Sequence, residues 1–212
     1  GVMLPIASLH SRYGIGDLGP EAYRYVDMLS AKGIRYWQIL PINQLGFGNS
    51  PYQPYSSFAG DPIFISPDMR IEQGLLKRRP RAFQPDAEYV DYEAARGYKE
   101  GILQTAFSAF EADDAFEAFT KLSWVHPFAV FMTFKRLNLN KGWLEWPEEQ
   151  KNWPYKKELD ISAYDDTIRY EMFLQYAFFT QWTALKQYAN AEGIEIIGDI
   201  PIYVGIDSLD VW

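Results

Sequence analysis

Short apolar runs alternate with amphipathic stretches along this chain, and each apolar run gives way to a loop rich in glycine or proline. Residues 2–9 (VMLPIASL) read as a first strand, followed by a loop over 10–19. Pro20 and Glu21 then open a helix, a proline suiting the first helical position and an acid the positive end of the helix dipole. Ala22, Val26 and Leu29 recur at helical spacing, and Gly33 marks the stop. Residues 34–42 (IRYWQILPI) give a second strand, and strand–helix–strand of this length predicts a parallel, right-handed βαβ unit.

Residues 43–62 form a turn-rich loop carrying Gly46, Gly48, Pro51, Pro54, Gly60 and Pro62. A connection of that length without regular structure is usually functional. Residues 62–66 suggest a short edge strand. Helical patterns follow over 92–110 and over 116–137, the latter interrupted near Pro127, and a Trp/Pro turn region spans 142–154. In the helix predicted over 166–192, Leu174, Phe178, Trp182, Leu185 and Ala189 make one apolar stripe. Gly193 closes it, and the run at Ile194, Ile196 and Ile197 predicts another strand. The organisation is α/β: residues 1–66 hold the first strands and their loops, 67–160 a helical insertion, and 161–212 a helix, a strand and a further loop.

Composition narrows the function. A net charge of −8 and a pI near 4.8 argue against a nucleic-acid or anionic-membrane partner, both of which need a basic footprint. Cysteine is absent, which removes thiolate and disulfide chemistry and fits a reducing cytoplasm. Residues 1–20 show no basic-then-apolar leader pattern, and no apolar run approaches the length of a membrane span. Fifteen Tyr and seven Trp supply either a packed core or a sugar cleft, where aromatic planes stack on pyranose faces.

The strongest chemical candidate is Asp199, delivered by the last apolar run just after Gly198. Acids at the carboxyl ends of parallel strands face ligands in α/β folds, and they are costly to bury without a partner. Ser50, Tyr52, Gln53 and Ser56 crowd a stacking ring, hydroxyls and an amide onto the loop after the second strand, which suits a polyhydroxyl ligand or a loop that caps its own backbone. Asp207, followed by Ser208, is placed equally well to cap a turn or touch a ligand. His10 and His126 lack further ligands at metal-binding spacing. The run Gly14–Gly19 (GIGDLG) matches a dinucleotide fingerprint, yet three features oppose that reading. The first apolar run ends well before Gly14, Pro20 starts the helix only after the third glycine, and the second strand ends in Leu40 and Pro41 with no acid for a ribose.

Taken together, GIGDLG, YWQILPI, GNSPYQPYSSFAGDPIFIS and IIGDIPIYVGIDSLDVW stand in the order and spacing of the amylomaltase family, the 4-α-glucanotransferases of the α-amylase clan. WVHPFAVFMTFKRL and GWLEWPEE resemble the family's middle region, so the resemblance covers essentially the whole chain. It implies a partial TIM (β/α)8 barrel with a helical insertion and transfer of α-1,4-glucan segments between maltooligosaccharides with retained configuration. No cofactor and no metal are expected, and the unpaired edge of an open three-strand sheet predicts association with the rest of the same enzyme or with a second copy. By resemblance Asp199 is the acid that binds the sugar at the cleaved bond and Tyr52 the tyrosine that packs on bound glucan; Ser50, Gln53, Ser56 and Asp207 are weaker carry-overs in the same loops. Asp61 departs from the family, which often has Asn there.

No residue matches the family's nucleophilic Asp or its acid/base Glu. A full barrel takes about 250 residues, and only about 120 remain here outside the insertion. The expectation is therefore the N-terminal portion of such an enzyme, inactive alone; a non-catalytic α-glucan-binding module is the alternative.

Overall fold

The computed structural model describes residues 1–83 and 89–212. In chain order the elements are β1 (Val2–Met3), α1 (Pro20–Ala31), β2 (Tyr36–Gln38), α2 (Pro67–Glu72), α3 (Tyr92–Ser108), α4 (Asp114–Thr120), α5 (Val125–Leu137), α6 (Glu148–Lys151), α7 (Trp153–Lys156), α8 (Asp165–Ala191) and β3 (Glu195–Ile197). The fold is mixed α/β with a parallel sheet of three strands in the order β1-β2-β3. The chain forms two compact units. The first comprises Gly1–Ile42, Asp61–Glu111 and Ala177–Ile200; the second comprises Asn43–Gly60, Ala112–Tyr176 and Pro201–Trp212.

In the first unit, Val2, Trp37 and Ile196 stand in register on one face of the sheet. Trp37 is fully buried there against Tyr25 of α1, and its indole N–H donates to the Leu4 carbonyl at 2.8 Å. Met3, Tyr36 and Ile197 alternate onto the other face and remain about half exposed. α1 buries Ala22, Val26 and Leu29, the positions its spacing predicted.

The second unit is built on aromatic packing. Phe128, Phe131 and Phe134 of α5 meet Trp146, Trp153 and Trp212 in one buried cluster. Trp212 stacks on Trp153 with ring centroids 6.0 Å apart and planes 8° from parallel.

Several predicted bounds move, each for a local reason. The first strand stops at Met3 because Pro5 cannot donate to a ladder and a 3-10 turn occupies Ile6–Ser8. The edge strand expected at 62–66 is instead a 3-10 turn, Pro62–Phe64, with the Asp61 carboxylate accepting from the Ile63 N–H. The helical pattern over 116–137 breaks before Pro127, between Thr120 and Val125. Pro127 then falls in the first turn of α5, where a missing N–H leaves no helical bond unmade. The Trp/Pro region folds as a 3-10 turn, Trp143–Glu145, followed by α6 and α7. The stripe on α8 holds: Leu174, Phe178, Leu185 and Ala189 are buried and Trp182 is partly so.

Candidate functional site

The polar loop of the second unit folds back on itself through its backbone. Gly46 N–H donates to the Gln53 carbonyl at 3.0 Å, Tyr55 N–H to Gln44 at 3.0 Å and Gln44 N–H to Ala59 at 3.0 Å. At its tip, the Ser50 carbonyl accepts from the Gln53 N–H at 3.2 Å, and the Ser50 hydroxyl lies 3.4 Å from the Tyr52 N–H. Tyr52 is 46% exposed and Gln53 is exposed, so a stacking ring and an amide are displayed on a folded tip. Ser56 is different. It is fully buried and its hydroxyl accepts from the Phe58 N–H at 3.1 Å and the Ala59 N–H at 3.4 Å. That hydroxyl serves the loop's own turn.

The segment Pro201–Trp212 clasps this loop within the same unit. Asp210 accepts from the Ser57 N–H at 2.7 Å and from the Ser57 hydroxyl at 3.0 Å, while Leu209 N–H donates to the Tyr55 carbonyl at 2.8 Å. Asp207 has both oxygens engaged, one by Lys135 Nζ at 2.6 Å and one by the Trp143 N–H at 3.1 Å. Lys135 is fully buried at the end of α5. It also donates to the Asn140 and Lys141 carbonyls and lies 4.7 Å from the centre of the Tyr55 ring. Asp207 is thus a buried lysine's counter-ion and locks the loop's support. Sequence reading does not single out Lys135; its only signal is a charged residue inside the apolar run of α5.

In the first unit, Asp199 stands two residues beyond the end of β3. Its side chain is partly buried, and one oxygen accepts from the Ile200 N–H at 2.8 Å. Gly198 precedes it, so the carboxylate sits at the carboxyl end of the strand, as the apolar run predicted.

GIGDLG has a packing role in the same unit. A Cβ on Gly16 would lie 2.0 Å from the Ile6 carbonyl oxygen, and one on Gly19 2.1 Å from the Ser66 hydroxyl. Asp17, between them, accepts from the Gly19 N–H at 3.0 Å and pairs with Lys99 at 3.1 Å. Both partners are buried; desolvation pushes the Asp17 carboxyl up and the Lys99 ammonium down, against their mutual attraction. Asp61, the departure from the family pattern, is fully buried and receives both terminal nitrogens of Arg96, at 2.8 and 3.1 Å. The extra charge is therefore matched. Among the described residues no group of three or more His, Cys, Asp and Glu side chains is arranged to hold a metal ion, and no helix is long and apolar enough to cross a membrane.

A family model described as 4-alpha-glucanotransferase, glycoside hydrolase family 77, matches residues 4–212, and the chain belongs to that family. It is 41% identical over 224 residues to a 4-alpha-glucanotransferase of Streptococcus pneumoniae, covering 100% of this chain and 44% of that protein. A 4-alpha-glucanotransferase of Clostridium butyricum is 39% identical over 219 residues, covering 98% and 44%. The fold matches amylomaltase from Streptococcus agalactiae, solved in complex with acarbose, with a TM-score of 0.93 at 36% identity, over 100% of this chain and 45% of that one. The chain spans about 44% of the length of these curated relatives.

Proposed function

We propose that this chain forms the opening strands of a (β/α)8 barrel, with residues 67–160 as its helical insertion, in a cytoplasmic 4-α-glucanotransferase. The enzyme moves α-1,4-glucan segments between maltooligosaccharides with retained configuration. The observation that carries the reading is Asp199 at the carboxyl end of the third parallel strand in a sheet whose spatial order follows the chain. The exposed sheet face bearing Met3, Tyr36 and Ile197 supports it, because in a closed barrel such a face is interior and filled by side chains.

Retaining transfer splits the reaction in two. A carboxylate attacks the anomeric carbon to give a glycosyl ester while a second carboxyl group protonates the departing sugar; an incoming 4-hydroxyl then displaces the ester as the second group takes back its proton. Neither reacting carboxylate is assigned within residues 1–212. Asp199 accepts hydrogen bonds from the sugar at the cleaved bond and fixes it for attack. Tyr52 stacks on bound glucan, and Ser50 and Gln53 offer polar groups from the same loop. Ser56 and Asp207 act through the loop they hold in shape.

On this reading the sheet edges at β1 and β3 pair with the rest of the same enzyme, or with a second copy when the chain is alone. The test is maltotriose incubation. The whole enzyme is expected to release glucose and longer maltodextrins, and residues 1–212 alone to do neither. Turnover by the isolated chain would refute the placement of the reacting carboxylates elsewhere; glucan binding without turnover by the whole protein would favour a binding module.

A further inference from the structure

A concavity of about 310 Å³ lies in the first unit, between residues 10–13, the start of α1 and the stretch from α2 to Arg79. None of the groups assigned to glucan lines it, so a ligand held there is independent of that assignment. Arg12, Arg24 and Arg79 line this space together with His10, and so do the acids Asp17, Glu21 and Asp68. Three arginines thus meet three acids there, and the partners each acid already has decide which donors stay open to a ligand.

The carboxylates lining the cavity are already engaged. Asp68 accepts from the Tyr13 hydroxyl at 2.8 Å and pairs with Arg79 Nε at 2.8 Å. Asp17 is paired with the buried Lys99 behind it, and Glu21 with Arg24 at 2.7 Å. Arg12 has no ion-pair partner among the described residues. Arg24 and Arg79 each commit one nitrogen, and a guanidinium carries five N–H donors, so both keep donors for a ligand.

Arg79 belongs to a basic run. Residues 77–81 read KRRPR, and Lys77, Arg78, Arg79 and Arg81 are all exposed. The Arg81 carbonyl accepts from the Tyr98 hydroxyl.

We propose that this cavity binds a hexose phosphate monoester, with the phosphate on the guanidiniums of Arg12, Arg24 and Arg79 and the sugar hydroxyls toward Glu21 and Asp68. A phosphate monoester carries nearly two negative charges at neutral pH and matches the planar fork of arginine in pairs of hydrogen bonds. The volume exceeds what inorganic phosphate fills and reaches the lower range of small-molecule sites.

The test is calorimetric titration of the whole protein carrying this chain, at low salt, with glucose 6-phosphate, inorganic phosphate and glucose as probes. Glucose 6-phosphate is expected to bind, inorganic phosphate to displace it at about tenfold higher concentration, and glucose not to displace it. Arg12→Gln and Arg24→Gln should each weaken it about tenfold with an unchanged melting temperature, since both side chains are exposed. No binding, or binding indifferent to both substitutions, overturns the site. Equal affinity for inorganic phosphate and glucose 6-phosphate overturns the hexose assignment.

Discussion

Gln181 meets Ser66 as a neighbouring strand would: its Oε1 accepts from the Ser66 N–H at 2.7 Å and its Nε2 donates to the Ser66 carbonyl at 3.0 Å. The same helix, six residues earlier, carries Gln175, which engages the Gly60 N–H and carbonyl at 2.9 and 3.0 Å. A primary amide reproduces the donor and acceptor of a peptide unit, so each glutamine satisfies a buried stretch of backbone that has no strand beside it. Gln181→Ala should leave both Ser66 backbone groups unpaired and cost about 2–4 kcal/mol. Urea unfolding measures this, and a loss below about 0.5 kcal/mol would show the clamp to be dispensable.

The Asp17–Lys99 pair is expected to behave asymmetrically. Lys99 donates to Asp17 and to the Ile63 and Ile65 carbonyls, so Lys99→Met strips three acceptors of their cation and strands a buried carboxylate. That should cost about 3–5 kcal/mol. Adding Asp17→Asn removes the stranded charge while keeping an acceptor for the Gly19 N–H, so the double variant should be more stable than Lys99→Met alone. A double-mutant cycle reads the coupling, and simple additivity would contradict the pairing.

If Asp207 supports the loop rather than touching glucan, its charge matters through Lys135. Asp207→Ala should destabilise the protein by about 3–5 kcal/mol, because Lys135 is fully buried. Asp207→Asn keeps one acceptor oxygen for Lys135 Nζ while its amide NH2 turns toward the Trp143 N–H, so it should recover only part of the loss. At a temperature where it stays folded, KM for maltotriose should change less than twofold in Asp207→Asn; a selective rise in KM would assign Asp207 to substrate instead.

Gly46 supports the display of Tyr52 and Gln53 at a close approach. A Cβ there would meet the Gln53 carbonyl at 2.6 Å, against backbone that cannot swing aside. Gly46→Ala should force the loop open and lower kcat/KM for maltotriose by about tenfold, as Tyr52→Ala should. Unchanged kinetics in Gly46→Ala would mean that loop geometry is not limiting.

Much of the fold was legible in the residues. The βαβ opening, the stripe on α8 and the strand that ends before Asp199 follow from hydrophobic period and from glycine and proline at the element ends. What escaped is tertiary. The self-capping loop is one of two readings of SPYQPYSS, and Ser56 follows it by accepting from N–H groups two and three residues on, but its full burial depends on what packs over that turn. Lys135 reads as one charge in an apolar helix until Asp207, far along the chain, supplies its counter-ion. The strand expected at 62–66 is a 3-10 turn instead, because its backbone groups find Asp61, Lys99 and Gln181 rather than a neighbouring strand, partners that no alternation pattern announces.

The most direct measurement is the rate of maltotriose disproportionation by the whole enzyme carrying Asp199→Asn, compared with its binding of a longer maltodextrin. The expected result is a fall in kcat of at least about a hundredfold, with binding weakened less than about tenfold. Full transfer activity in that variant would contradict the role given to the acid at the end of the third strand.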